Sequence, residues 1–207
     1  MKKFAQIMLL RRGVPINYDN YTIVITGLGG QGLISLLQIL GNALITKGYK
    51  VITSETHGLS QRGGKVICFL RFGNRMYAPI PILGSADMIV ATEKSCILDV
   101  LKYSKSDKSS KLIISTQEKK PFGTDYPSEK YLSKALNENS DDIYFVPAMK
   151  LAEKYMNIRI INTIILGYIL RFLPLSQKEL EVSLNHHFRE KNLEINLIAF
   201  NEGFKLK

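Results

Sequence analysis

An apolar run, Tyr21-Thr22-Ile23-Val24-Ile25-Thr26, leads into Gly27-Leu28-Gly29-Gly30-Gln31-Gly32, and a helical stretch and a second β-like run follow. Residues 21–27 are β-branched, apolar and ended by glycine, as a buried strand should be. In residues 31–47, Leu33, Leu37, Leu40 and Leu44 fall on one helical face, and Gly48 supplies the stop. Residues 49–54, Tyr49-Lys50-Val51-Ile52-Thr53-Ser54, then extend again. A strand, tight glycine turn, helix and strand in that order imply parallel strands joined by a right-handed crossover, which restricts the chain to the α/β class.

The rest of the sequence continues the alternation. Strands are expected at 66–72, 86–91, 111–115 and 142–146, and Gly73-Asn74 reads as a turn after which residues 75–78 can run back antiparallel. A helix is expected over about 94–103, a polar loop over 104–110, and helices from Ala148 onward. Ser176 and Glu179 have capping-box spacing. Leu193, Leu197, Phe200 and Phe204 give the last helix an apolar stripe. The expected fold is a Rossmann-like, mostly parallel sheet with helices on both faces, one antiparallel hairpin and a helical C-terminal part. With 207 residues, the chain holds one domain at 21–207, preceded by residues 1–20 as an N-terminal extension or misplaced start.

Several function classes drop out. The apolar run Ile160–Leu170 contains Asn162 and Thr163 between Arg159 and Arg171; it is too short and polar to span a membrane and reads as a buried core helix. The N-terminal Met1–Arg12 stretch lacks the long apolar region and cleavage site of a signal peptide. Cys68 and Cys96, the two cysteines, sit in apolar surroundings and read as buried small hydrophobes of a reducing compartment, so a cytoplasmic protein is expected. Two cysteines cannot ligate an iron–sulfur cluster. His186 and His187 lie in a helical tract without ligand-type neighbours and read as surface or cap residues. The net charge of +10 is spread over the whole chain with no nucleic-acid-reader motif, so an acidic protein partner is as good an expectation as any.

Two glycine-rich stretches remain as candidate sites. Gly27, Gly29 and Gly32 satisfy G-x-G-x-x-G after a strand and before a helix, with Gly30 beside them, and could bring backbone N–H groups to a phosphate. A dinucleotide site also needs an acid at the end of the second strand; Glu55 is the candidate, 28 positions after Gly27 where about 20 is usual. Alternatively these glycines serve only a tight turn and close packing. The second stretch is Glu55-Thr56-His57-Gly58-Leu59-Ser60-Gln61-Arg62-Gly63-Gly64. Arg62 could pair bidentately with a carboxylate or phosphate, and His57 could bond or move a proton near neutral pH, with Gln61 beside them. A loop whose polar groups satisfy its own backbone is the alternative.

Taken together, the two stretches resemble the gamma-type domain of the 2-oxoacid:ferredoxin oxidoreductase family, and more narrowly the beta subunits of its indolepyruvate branch. Val66–Phe72 with Tyr77-Ala78-Pro79, Gly84-Ser85-Ala86-Asp87, Glu93, Asn162, Leu166-Gly167 and Asn196–Gly203 agree with that pattern over residues 21–205; residues 1–20 depart from it. The resemblance implies a subunit, inactive alone, of an enzyme that oxidatively decarboxylates aryl 2-oxoacids to acyl-CoA and reduces ferredoxin. Thiamine diphosphate and the iron–sulfur clusters would belong to a larger alpha subunit, with coenzyme A used by the complex. Glu55, His57, Gln61 and Arg62 would face that subunit. A stand-alone NAD(P)-binding oxidoreductase, or the corresponding subunit of a pyruvate or 2-oxoglutarate oxidoreductase, stays open.

Overall fold

A computed structural model describes residues 19–57, 64–74, 77–120 and 125–207. Its six strands are β1 (Tyr21–Leu28), β2 (Lys50–His57), β3 (Lys65–Gly73), β4 (Met88–Ala91), β5 (Lys111–Ser115) and β6 (Asp142–Val146). They form one sheet in the order β2-β3-β1-β4-β5-β6. β1, β4, β5 and β6 pair in parallel, whereas β3 runs antiparallel to both of its neighbours. The helices are α1 (Leu33–Thr46), α2 (Glu129–Asn139), α3 (Ala148–Lys154), α4 (Ile161–Ile169), α5 (Gln177–His187) and α6 (Glu190–Lys205). Among the described residues, no helix is long and apolar enough to cross a membrane.

The central strands β1, β4 and β5 are apolar on both faces because both faces are covered. Ile23, Ile25, Val90 and Ile113 pack with Leu36, Leu40 and Leu44 of α1 and with the C-terminal helices. The alternate residues Val24, Ile89, Leu112 and Ile114 pack with Ile97, Val100, Leu132 and Leu136 on the other side. α4 is buried along its whole length, and Cys68 and Cys96 are free thiols in the core. Burial pushes the Cys68 thiol up to about 11, with the Glu55 charge adding to the rise. The capping box at Ser176 and Glu179 forms, and Glu179 also pairs with Lys47, the residue that follows α1, at 2.7 Å.

Two expectations need correction. The antiparallel partners of β3 are β1 and β2 rather than residues 75–78; residues 77–78 form no strand, and residues 75–76 lie outside the described residues. Pro79 and Pro81 follow at once, and proline cannot donate to a ladder. The expected helix over 94–103 is two 3₁₀ turns, Lys94–Asp99 and Leu101–Tyr103. Ile97, Val100 and Tyr103 are all buried, and their three-residue spacing matches 3.0 residues per turn rather than 3.6.

Candidate functional site

The crossover through α1 carries the chain from β1 to one side of the sheet, while β4 lies on β1's other side. Strand order therefore reverses at β1 and β4, and the crevice beyond their carboxyl ends is where open α/β sheets bind ligands. The first glycine stretch sits there. Gly30 (φ 85°) and Gly32 (φ 80°) adopt the left-handed backbone that only glycine enters freely, and Gly32 stands at the N-terminus of α1. A Cβ on Gly27 would lie 2.0 Å from Thr92 Oγ1.

Gln31 organises this turn. Its Oε1 accepts from the Leu28 N–H (2.8 Å) and from Thr92 Oγ1 (3.0 Å), and its Nε2 donates to Gln117 Oε1 (3.2 Å). Its carbonyl accepts from Asn162 Nδ2 of α4. The Gln31 N–H closes back on the Leu28 carbonyl at 3.2 Å, and the Gly29 N–H donates to the Gly64 carbonyl at 2.8 Å. The two glycine stretches thus meet through their backbones. Several of the donors that a phosphate-binding loop would present are already spent inside the protein.

Beside the turn lies a cavity of about 370 Å³. Leu36, Ile39, Leu166 and Phe188 form its apolar wall, Gln117 and Asn162 its polar wall, and Lys119 and Arg159 make it cationic. Among the described residues no carboxylate, histidine, cysteine or tyrosine lines it, and the hydroxyls of Ser35 and Thr163 complete its polar side. Glu93, wholly buried at the end of β4, is a clamp. One oxygen accepts from Ser95 Oγ (2.6 Å) and the Cys96 N–H (3.0 Å); the other accepts from the Tyr126 hydroxyl (2.8 Å) and the Lys119 N–H (3.3 Å). It fastens the segment carrying Gln117 and Lys119 against the cavity, and burial together with this bond holds the Tyr126 hydroxyl in its protonated form.

The second stretch is only partly described. Glu55 and His57 lie on β2, opposite Cys68 and Val66 of β3, and Glu55 is exposed. Gln61 and Arg62 lie outside the described residues. The interposition of β3 puts β2 two strands from β1, about 10 Å away at the usual strand spacing. A dinucleotide site wants its acid on the strand next to β1, and Glu55 is not there. Titration of the isolated chain with NADH and with NADPH is accordingly expected to show no saturable binding; a saturable isotherm would restore the stand-alone oxidoreductase reading. Among the described residues, no cluster of His, Cys, Asp or Glu could hold a metal ion.

The family model of pyruvate ferredoxin/flavodoxin oxidoreductase matches residues 22–206. The chain belongs to the pyruvate ferredoxin/flavodoxin oxidoreductase family. It is 32% identical to the indolepyruvate oxidoreductase subunit IorB of Thermococcus kodakarensis over 192 residues, 89% of this chain and 95% of the relative. To the common gamma subunit of pyruvate/ketoisovalerate oxidoreductases of Pyrococcus furiosus it is 26% identical, over 86% of this chain and 92% of the relative. Its fold is that of the pyruvate oxidoreductase subunit PORC of Thermotoga maritima (TM-score 0.69, 20% identity, 91% of this chain and 97% of that one). The 2-oxoglutarate:ferredoxin oxidoreductase of Magnetococcus marinus contains it too (TM-score 0.71, 21% identity, 90% of this chain), there as 31% of a longer chain. The chain is thus homologous to subunits of oxidoreductases of this family.

Residues that carried the family resemblance far from the glycine turn also acquire physical roles. Asn162 anchors the turn, as described above. Thr163 Oγ1 bonds Asn196 Oδ1 between α4 and α6. Gly167 and Gly203 let these two oxidoreductase-family helices touch backbone to backbone: a Cβ on Gly167 would stand 2.1 Å from the Phe200 carbonyl oxygen, and one on Gly203 1.8 Å from that of Ile164. Gln31 is the residue that sequence reasoning missed; it stands inside the glycine pattern at a position the pattern leaves open.

Proposed function

We propose that this chain is the non-thiamine-bearing subunit of an indolepyruvate:ferredoxin oxidoreductase, which converts aryl 2-oxoacids and coenzyme A to acyl-CoA and carbon dioxide while reducing ferredoxin. The supporting observation is 30–32% identity to four archaeal IorB subunits, each covered over more than nine-tenths of its length. In this reading residues 21–207 are one gamma-type domain of a cytoplasmic complex. Glu55, His57, Gln61 and Arg62 face the larger alpha subunit, and the turn at Gly27, Gly29, Gly30 and Gly32 shapes the adjoining edge.

Thiamine diphosphate and iron–sulfur clusters do not fit this chain. Among the described residues the cavity offers no carboxylate to hold the divalent cation that accompanies a diphosphate, and the two cysteines are buried in the core. We therefore assign the redox chemistry to the partner subunit. In this reading the chain supplies a shaped, cationic edge beside the partner's site.

Reconstitution tests the reading. The chain alone is expected to be inactive with indolepyruvate, coenzyme A and ferredoxin. Co-expressed with a thiamine- and cluster-bearing alpha subunit, it should form a complex that favours indolepyruvate over pyruvate and 2-oxoglutarate by at least about tenfold in kcat/KM. A preference for either of the smaller acids would reassign the chain to that branch, and the absence of a complex would defeat the proposal.

A further inference from the structure

The segment Tyr77-Ala78-Pro79-Ile80-Pro81-Ile82-Leu83 crosses the face of β2 and β3 as an apolar strap. Its large side chains point away from the protein: Tyr77 is 89% exposed, Ile80 54%, Ile82 81% and Leu83 61%. Four large apolar groups bared within seven residues form a contiguous patch of the kind that marks an interaction surface, not the scattered exposure normal for a monomer. The strap is fixed in place. Ser54 Oγ of β2 donates to the Pro79 carbonyl at 3.0 Å, Arg71 Nη1 of β3 to the Ala78 carbonyl, and the Gly84 N–H to the Lys102 carbonyl at 3.1 Å. Two prolines stiffen it further, so little conformational freedom is left to lose on binding.

Its margins are cationic. The alternation of β2 places Lys50 on the strap's face with Ile52, Ser54 and Thr56, and puts Glu55 on the opposite face. Lys102 borders the other end through its bond to Gly84. Among the described residues neither lysine has an ion-pair partner, and the nearby acid, Asp87, is held by Lys105. An apolar centre with basic margins fits an apolar surface with acidic margins. It does not fit itself, because a two-fold contact between copies would set lysine against lysine. In the solved 2-oxoglutarate:ferredoxin oxidoreductase, this fold is one part of a chain roughly three times as long. A separate subunit must make by surface contact the association that a continuous chain enforces.

We propose that the strap Tyr77–Leu83, with Lys50 and Lys102 at its margins, is the surface by which this chain docks on an acidic-rimmed apolar face of the large subunit. The inference rests on the subunit reading above. It is tested by measuring the affinity of the full-length chain for the purified thiamine-bearing alpha subunit by calorimetry at low and high salt. The triple variant Tyr77→Ser, Ile82→Ser, Leu83→Ser changes only exposed side chains and should melt as the wild type does, yet bind roughly 100-fold more weakly. The pair Lys50→Glu and Lys102→Glu should weaken binding about tenfold at low salt, with the deficit shrinking as salt rises. A triple variant that binds within about threefold of a binding-competent wild type overturns this inference and leaves the subunit reading standing. Self-association of the wild type through the strap, with unchanged affinity for the alpha subunit, overturns it as well. Failure of the wild-type chain to bind overturns both.

Discussion

Gly203→Ala is expected to destabilise the protein by roughly 3 kcal/mol or more, the upper end of what overpacking costs. The added methyl would sit 1.8 Å from the Ile164 carbonyl oxygen and 2.7 Å from its carbon. Both are backbone atoms of a fully buried helix, so no side chain can swing aside; α4 and α6 must separate. Separation would pull Thr163 from Asn196 and loosen Asn162, which holds the glycine turn through Gln31. The better helix propensity of alanine, worth at most about 1 kcal/mol, acts in the opposite direction and is outweighed. Gly167→Ala should behave similarly, since its methyl would meet the Phe200 carbonyl oxygen at 2.1 Å. Urea unfolding measures the loss. Because the same contact is spoiled from either side, the double variant should cost well below the sum of the two singles. A Gly203→Ala protein as stable as the wild type would show that the helices are not held in backbone contact.

The second large effect is at Gly27. Alanine there should cost about 2–3 kcal/mol, because its methyl would lie 2.0 Å from Thr92 Oγ1. Unlike Gly203, the obstacle here is a side chain that can be cut away. Thr92→Ala alone should cost about 1 kcal/mol, through the lost hydrogen bond to Gln31 Oε1. Combined, the two substitutions should be more stable than Gly27→Ala by itself, although Gln31 Oε1 at 3.0 Å keeps the site tight. Thermal melts of the three variants measure this coupling. Additive losses would mean that Gly27 is required for something other than room beside Thr92. A packing role is what distinguishes this turn from a phosphate cradle. In the cradle the first glycine serves the turn and the next admits the pyrophosphate; here the side chain of Gln31 occupies the loop's own donor.

Much of the architecture is legible in local patterns. The apolar runs locate the strands, and the leucine spacing of α1 and the capping box at Ser176 locate the helices, because these signals depend on residues only a few positions apart. What stays hidden depends on distant partners. Residues 65–73 read as a strand, but nothing local reveals that it slots between β1 and β2, and this placement is what removes Glu55 from the first glycine turn. The 94–103 segment has helical propensity throughout, and only its three-residue burial rhythm betrays the tighter turns. Glu93 reads as an ordinary acid until its four donors, drawn from both near and distant segments, make it a clamp. At the candidate site, the glycine pattern announces a special backbone but not its purpose. Gln31, Thr92, Gln117 and Asn162 come from four separate parts of the chain, and their convergence is a property of the folded state alone.

The placement of β3 has a consequence for how the protein comes into being. When the chain through residue 57 has been synthesised, β1 and β2 have both been made, but they are not neighbours in the folded sheet, since β3 lies between them. β1 then presents two bare edges, each waiting on chain still to be synthesised: β3 on one side and β4 on the other. Closure of the sheet's centre is delayed until residue 91 has emerged, and until then β1, buried at seven of its eight positions in the folded protein, keeps an edge unpaired. Open strand edges are therefore a feature of the chain's own synthesis, before any question of assembly arises.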